Sequence, residues 1–136
     1  MKQERKIIKR IFAYSIPFII LGGAIIAWSM HTSVAPTVIV LGNNGFSPNS
    51  ITVQQGETVL FKTTRNDAFW PASNDHPTHG IYPEFDPRRP IAANESWSFV
   101  FEKAGTWKFH NHAAPFEEGV VVVKPLVVGK IGRAHV

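Results

Sequence analysis

The chain has 136 residues, enough for one domain, and with 44% apolar and 12% aromatic residues it is neither disordered nor low-complexity. Its net charge of +4 resides in residues 1–10, where Lys2, Arg5, Lys6, Lys9 and Arg10 face only Glu4; the rest of the chain is balanced, which argues against a nucleic acid partner. The absence of cysteine excludes disulfides, thiolate zinc sites, iron–sulfur clusters, thiol nucleophiles and any thiolate-ligated blue copper centre.

Residues 11–30, IFAYSIPFIILGGAIIAWSM, carry no charge, and the uncharged run continues through Pro36 with His31 as its one polar interruption. About 20 apolar residues rising ~1.5 Å each span a hydrocarbon core ~30 Å thick. The pattern predicts a signal-anchor helix over 11–33, with the basic segment 1–10 cytoplasmic, Trp28 at the exit interface and everything from residue 37 on extracytoplasmic. A cleaved signal peptide is the alternative, because Ser33-Val34-Ala35 resembles a small-x-small cleavage site; the length of the run and the following Pro36 speak against it. A buried core helix is rejected, since the remaining sequence is too short and too β-like to wrap an all-round apolar segment.

The stretch 37–124 reads as short strands between turn signals. Thr37–Leu41 is a β-branched run closed by Gly42-Asn43-Asn44-Gly45. Ile51–Val53 and Thr58–Thr63 alternate around a turn at Gln55-Gly56, and Trp97, Phe99 and Phe101 share one face of a further strand. Thr106–His112 follows, with Trp107 and Phe109 inward, and Val120–Val123 is a continuous apolar strand opened by Gly119. No segment here has a helical period, so the expectation is an all-β, antiparallel Greek-key sandwich of about seven strands. The connection 64–94 carries Pro71, Pro77, Pro83, Pro87 and Pro90 beside Phe69, Trp70, Tyr82 and Phe85, which predicts a functional loop folded against the sandwich. Residues 125–136 read as a flexible tail. No Gly-x-Ser-x-Gly elbow is present, so serine hydrolysis has no support.

Several of these elements, in order, resemble the cupredoxin family: Gly45-Phe46-Ser47-Pro48, Ile51 to Val59, Asn66-Asp67, Ser98 to Phe101, Ala104-Gly105-Thr106-Trp107-Lys108-Phe109 and the closing Gly119 to Val123. The resemblance implies the family's sandwich over nearly all of 38–124. Its copper ligands do not carry over. The first histidine position falls near Phe69-Trp70-Pro71, the cysteine position corresponds to Asn111, and Glu117 or Glu118 stands where a methionine is expected.

Four histidines fall into two tight pairs, His76-Pro77-Thr78-His79 in the long connection and His110-Asn111-His112 at a strand end. A lone loop histidine is ordinarily a solvated residue, but imidazoles two apart on a strand share a face and form half of a metal site. The resemblance implies that loop and strand end meet at one pole, and His-Pro-x-His and His-x-His are also locally similar to multicopper oxidase elements. Parity sets Phe109 and Asn111 inward and His110 and His112 outward. The pair would then bind metal under a folded-over loop or with a neighbouring subunit, unless the strand bends at Asn111. His76, His79, His110 and His112 are therefore the expected metal ligands, with Glu84, Asp86, Glu117 and Glu118 as weaker carboxylate candidates or outer partners. Trp70 and Tyr82 are expected to anchor the loop or core, with packing beside a metal as the alternative role. All-imidazole sets suit copper(II), zinc, nickel and iron; copper leads by affinity order and family habit, and zinc is the main competitor.

The expected function is a membrane-anchored, extracytoplasmic, copper-binding cupredoxin-like protein with a non-blue site, acting in copper handling or electron transfer beside a redox or copper-transfer partner, or as a homo-oligomer. Two alternatives stay open: a type 2 copper or zinc enzyme acting on a small molecule, and a metal-free assembly module.

Overall fold

The computed structural model describes residues 34–129. The basic segment, the expected membrane helix at 11–33 and residues 130–136 of the tail lie outside the described residues; among those described, no helix is long and apolar enough to cross a membrane.

The described residues form eight strands, most of them alternating between buried and exposed positions: β1 (Thr37–Gly42), β2 (Gly45–Ser47), β3 (Ser50–Gln54), β4 (Thr58–Thr63), β5 (Pro71–Ser73), β6 (Ser96–Val100), β7 (Gly105–Asn111) and β8 (Ala114–Lys124). They form two four-stranded sheets, β2-β1-β4-β6 and β3-β8-β7-β5. Inward residues of both sheets make one core, with Ile39, Leu41, Val59 and Phe61 from the first and Val53, Phe109, Val121 and Val123 from the second. The predicted strands at 37–41, 51–53 and 58–63 are present, that at 106–112 is present but ends at Asn111, and Trp97 and Phe99 share the half-buried face of β6.

Three expectations need correction. The sandwich is not purely antiparallel: β1 pairs parallel to β4 and β3 parallel to β8, while the other four pairings are antiparallel. Each parallel partner is reached by a connection that leaves one sheet and returns, so local turn chemistry carries no signal for it. The last strand begins at Ala114 rather than Val120; its first half, Ala114 to Gly119, is exposed or half-buried and interrupted by Pro115 and two glutamates, which hid it from a reading based on apolar runs. The 64–94 connection also contributes strand β5 and a bridge between Phe69 and Ile91.

That connection is built into the core. Tyr82 and Phe85 are buried, with Phe85 stacked on Phe99 at a centroid separation of 5.1 Å and Tyr82 against Trp107 at 4.8 Å. Burying two large aromatics contributes about 1.5–3 kcal/mol each and holds the loop to the sandwich. Gly119 has a packing reason: a Cβ there would meet the Phe109 ring at 2.4 Å, so only glycine lets this phenylalanine lie against β8.

Candidate metal centre

On β7, Phe109 enters the core while His110 takes the opposite face of the sheet, alongside Lys108. His110 is nevertheless only 1% exposed, because residues 74–81 fold over that face. The pairing of β7 with β8 shifts register between His110 and Asn111, and a tight turn follows, so His112 leaves the regular strand and is held by its own N–H donating to the Trp70 carbonyl at 2.8 Å. Both the folded-over loop and the bend at Asn111 are thus realised.

The loop pair sits on a compact turn. Asp75 Oδ1 accepts hydrogen bonds from the Thr78 hydroxyl at 2.6 Å and the Gly80 N–H at 3.1 Å, and the Asp75 carbonyl accepts from the His79 N–H. His79 takes a left-handed backbone (φ 55°), a conformation that histidine adopts more readily than most residues and that points to a constrained site.

The two pairs meet. One ring nitrogen from each of His76, His79, His110 and His112 lies within 4.8 Å of all the others. His76 Nδ1 is 3.2 Å from His110 Nε2, and His79 Nε2 is 2.9 Å from His112 Nδ1. The partners behind the rings set the tautomers. His79 donates from Nδ1 to Asp86 Oδ2 at 2.7 Å, and His110 from Nδ1 to Asn74 Oδ1 at 2.8 Å. Their Nε2 lone pairs therefore face inward, accepting hydrogen bonds from His112 Nδ1 and His76 Nδ1.

Asp86 is itself fixed: its Oδ1 accepts from Trp70 Nε1 at 2.8 Å and the Arg88 N–H at 2.7 Å. Burial pushes its pKa up, but the hydrogen bonds from His79, Trp70 and Arg88 outweigh this and hold it below the usual value. Burial, reinforced by the neighbouring His79, His76 and His112, drives His110 down to about 4, and burial with His79 and His76 also lowers His112. Both are therefore neutral at physiological pH, the form in which imidazole donates to a metal.

These donors fit a transition metal. Four imidazole nitrogens match copper(II) or zinc, and metal–nitrogen bonds of about 2.0–2.1 Å need donors about 3–4 Å apart. The present spacing reaches that by small side-chain rotations.

Of the carboxylate candidates, only Asp86 stands directly behind a histidine, as an outer partner. Glu117 is bound by Arg65 and by Asn111 Nδ2, the latter at 2.8 Å; Arg65 also donates to the Gly42 carbonyl. Burial favours protonation of Glu117, but Arg65 and Asn111 outweigh it and lower its pKa. Glu84 pairs with Lys103 at the surface, and Glu118 lines a cavity beside His76 and His110. Trp70 packs on His112 at 4.5 Å, whereas Tyr82 belongs to the core. Sequence reasoning missed Asn74, which carries no motif and is placed only by the loop.

The chain matches the family model described as a cupredoxin-like domain over residues 17–123. Among solved structures it is similar to a purple cupredoxin from Nitrosopumilus maritimus at 22% identity, with a TM-score of 0.57 and coverage of 65% of this chain and 99% of that one. It is similar to the reduced Cu(I) form of an amicyanin mutant at 22% identity and a TM-score of 0.57, covering 68% of this chain and 87% of that one. It also resembles a copper-containing nitrite reductase from Thermus scotoductus SA-01 at 19% identity and a TM-score of 0.58, covering 68% of this chain and 23% of that one. No curated protein matches the chain. At these identities the solved structures speak for the fold alone.

Proposed function

The chain belongs to the cupredoxin-like family, and on that premise we propose that it binds copper through His76, His79, His110 and His112, as a membrane-anchored extracytoplasmic protein of copper handling or electron transfer. The observation that carries this reading is the convergence of four ring nitrogens, two of them held from behind by Asp86 and Asn74. Surface histidines have no physical reason to gather in this way, since protonation of one opposes protonation of the next. Bound copper would supply a one-electron redox couple or serve as cargo; the protein's part is to keep His110 and His112 neutral, orient the rings and exclude bulk water from His79 and His110. The copper named in the solved relatives favours copper over zinc, and the basic segment followed by an apolar run supports the anchor.

With no cysteine in the chain, no thiolate donates charge to the metal, and Asn111 holds backbone rather than metal. The test is metal analysis of the full chain followed by electron paramagnetic resonance after copper(II) titration. The expected result is one copper(II) per chain with nitrogen hyperfine structure and no intense visible thiolate-to-copper band. Preference for zinc over copper(II) in competition would replace the metal; no uptake of either would end the reading.

A further inference from the structure

The four imidazoles are held unequally. His79 is anchored by Asp86 and is 4% exposed, and His110 is anchored by Asn74 and is 1% exposed. His112 is fixed by its backbone bond to Trp70 and by packing on the indole. His76 is exposed, and among the described residues its side chain has one hydrogen bond, to His110. It also borders a cavity of about 530 Å³ whose lining includes Asp75, Ile81, Lys108, His110 and Glu118. Three ligands are therefore held by their surroundings, and the fourth stands at the mouth of a space larger than an imidazole ring.

We infer that His76 is the exchangeable ligand of the site, and that a small nitrogen-donor ligand of imidazole type enters through this cavity to take its place. The inference rests on the metal reading above and extends it to how the site is loaded and unloaded. The donor replaced is an imidazole nitrogen, so a nitrogen donor competes for the same metals on equal terms. Ile81 offers an apolar wall to a ring, while Lys108 and Glu118 provide polar groups beside it. The exchange is balanced: His76 withdraws its lone pair, the incoming nitrogen supplies one, and no proton or electron moves.

The experiment compares the full-length wild-type chain with His76→Gly and His79→Gly by copper(II) titration and electron paramagnetic resonance, with and without added imidazole, after circular dichroism has verified the fold. His76→Gly is expected to retain one copper(II), with affinity reduced about 10–100-fold, the range of losing an outer partner rather than the site. Imidazole is expected to restore both affinity and the wild-type spectrum in His76→Gly, and to restore neither in His79→Gly. Equal loss of copper in the two variants, or a His76→Gly spectrum insensitive to imidazole, overturns the inference while wild-type uptake leaves the metal reading standing. Absence of copper(II) uptake by the wild type overturns both.

Discussion

Consecutive residues at the end of β7 serve two polar clusters of opposite character. Asn111 turns toward a closed network: its Oδ1 accepts from the Trp70 N–H at 2.9 Å, its Nδ2 donates to Glu117, and Glu117 is neutralised by Arg65. Donors and acceptors there are matched by fixed charges, and nothing is left to offer a ligand. His110 and His112, on either side, belong to a cluster of four imidazoles joined by two ring-to-ring hydrogen bonds, with one nitrogen of each ring converging on a common centre. The contrast teaches how a cupredoxin-like sandwich can keep a polar pole without a cysteine. One cluster braces the bend, and the other is left available for metal.

The largest expected effect separates the clusters by pH in the metal-free chain. An unfolded histidine takes up a proton near its ordinary pKa of 6.5, whereas folded His110 does so only at about 4. Between these values the unfolded chain binds more protons, so stability falls as pH drops from above 6.5 toward 4 and is fully present above 6.5. At about 1.4 kcal/mol per unit the loss is about 3 kcal/mol. Asp86 and Glu117, with lowered pKa values, lose their contributions only at more acid pH. Urea unfolding at a series of pH values should show this, and His110→Gln should flatten the upper part of the slope, with His112 leaving a remainder in the same direction. An unchanged slope in the variant would break the comparison.

Next in size is the brace. Removing the guanidinium in Arg65→Ala leaves Glu117, whose side chain is 9% exposed, with Asn111 alone and the Gly42 carbonyl without its charged donor. The expected cost is about 2 kcal/mol, read from the urea midpoint at neutral pH, with copper stoichiometry unchanged. Loss of copper binding in a folded variant would show that the clusters are one.

A smaller change falls on the histidine cluster from outside. Asp86→Asn keeps the shape but removes the charge that orients His79, and copper(II) affinity should drop about tenfold, or about 1.4 kcal/mol, in competition with a chelator. Unaltered affinity would strip Asp86 of its orienting role.

Legibility follows the range of the forces involved. The sequence by itself determined strands β1, β3, β4, β6 and β7, the all-β class and the two histidine pairs, because period-two alternation and i, i+2 spacing are local properties of an extended chain. It also determined the absence of thiolate chemistry. Only the tertiary structure decided the parallel pairings of β1 with β4 and β3 with β8, which join segments through connections that return from the opposite sheet. It alone decided that residues 74–81 fold over the outer face of β7, converting a His110 expected to face outward into a buried one, and that Asp86 and Asn74 stand behind the rings while Glu117 does not. Those placements depend on Tyr82 and Phe85 being drawn into the core, and hydrophobic burial is non-directional: a sequence shows that an aromatic will be buried, but not which face of the sheet its neighbours will then cover.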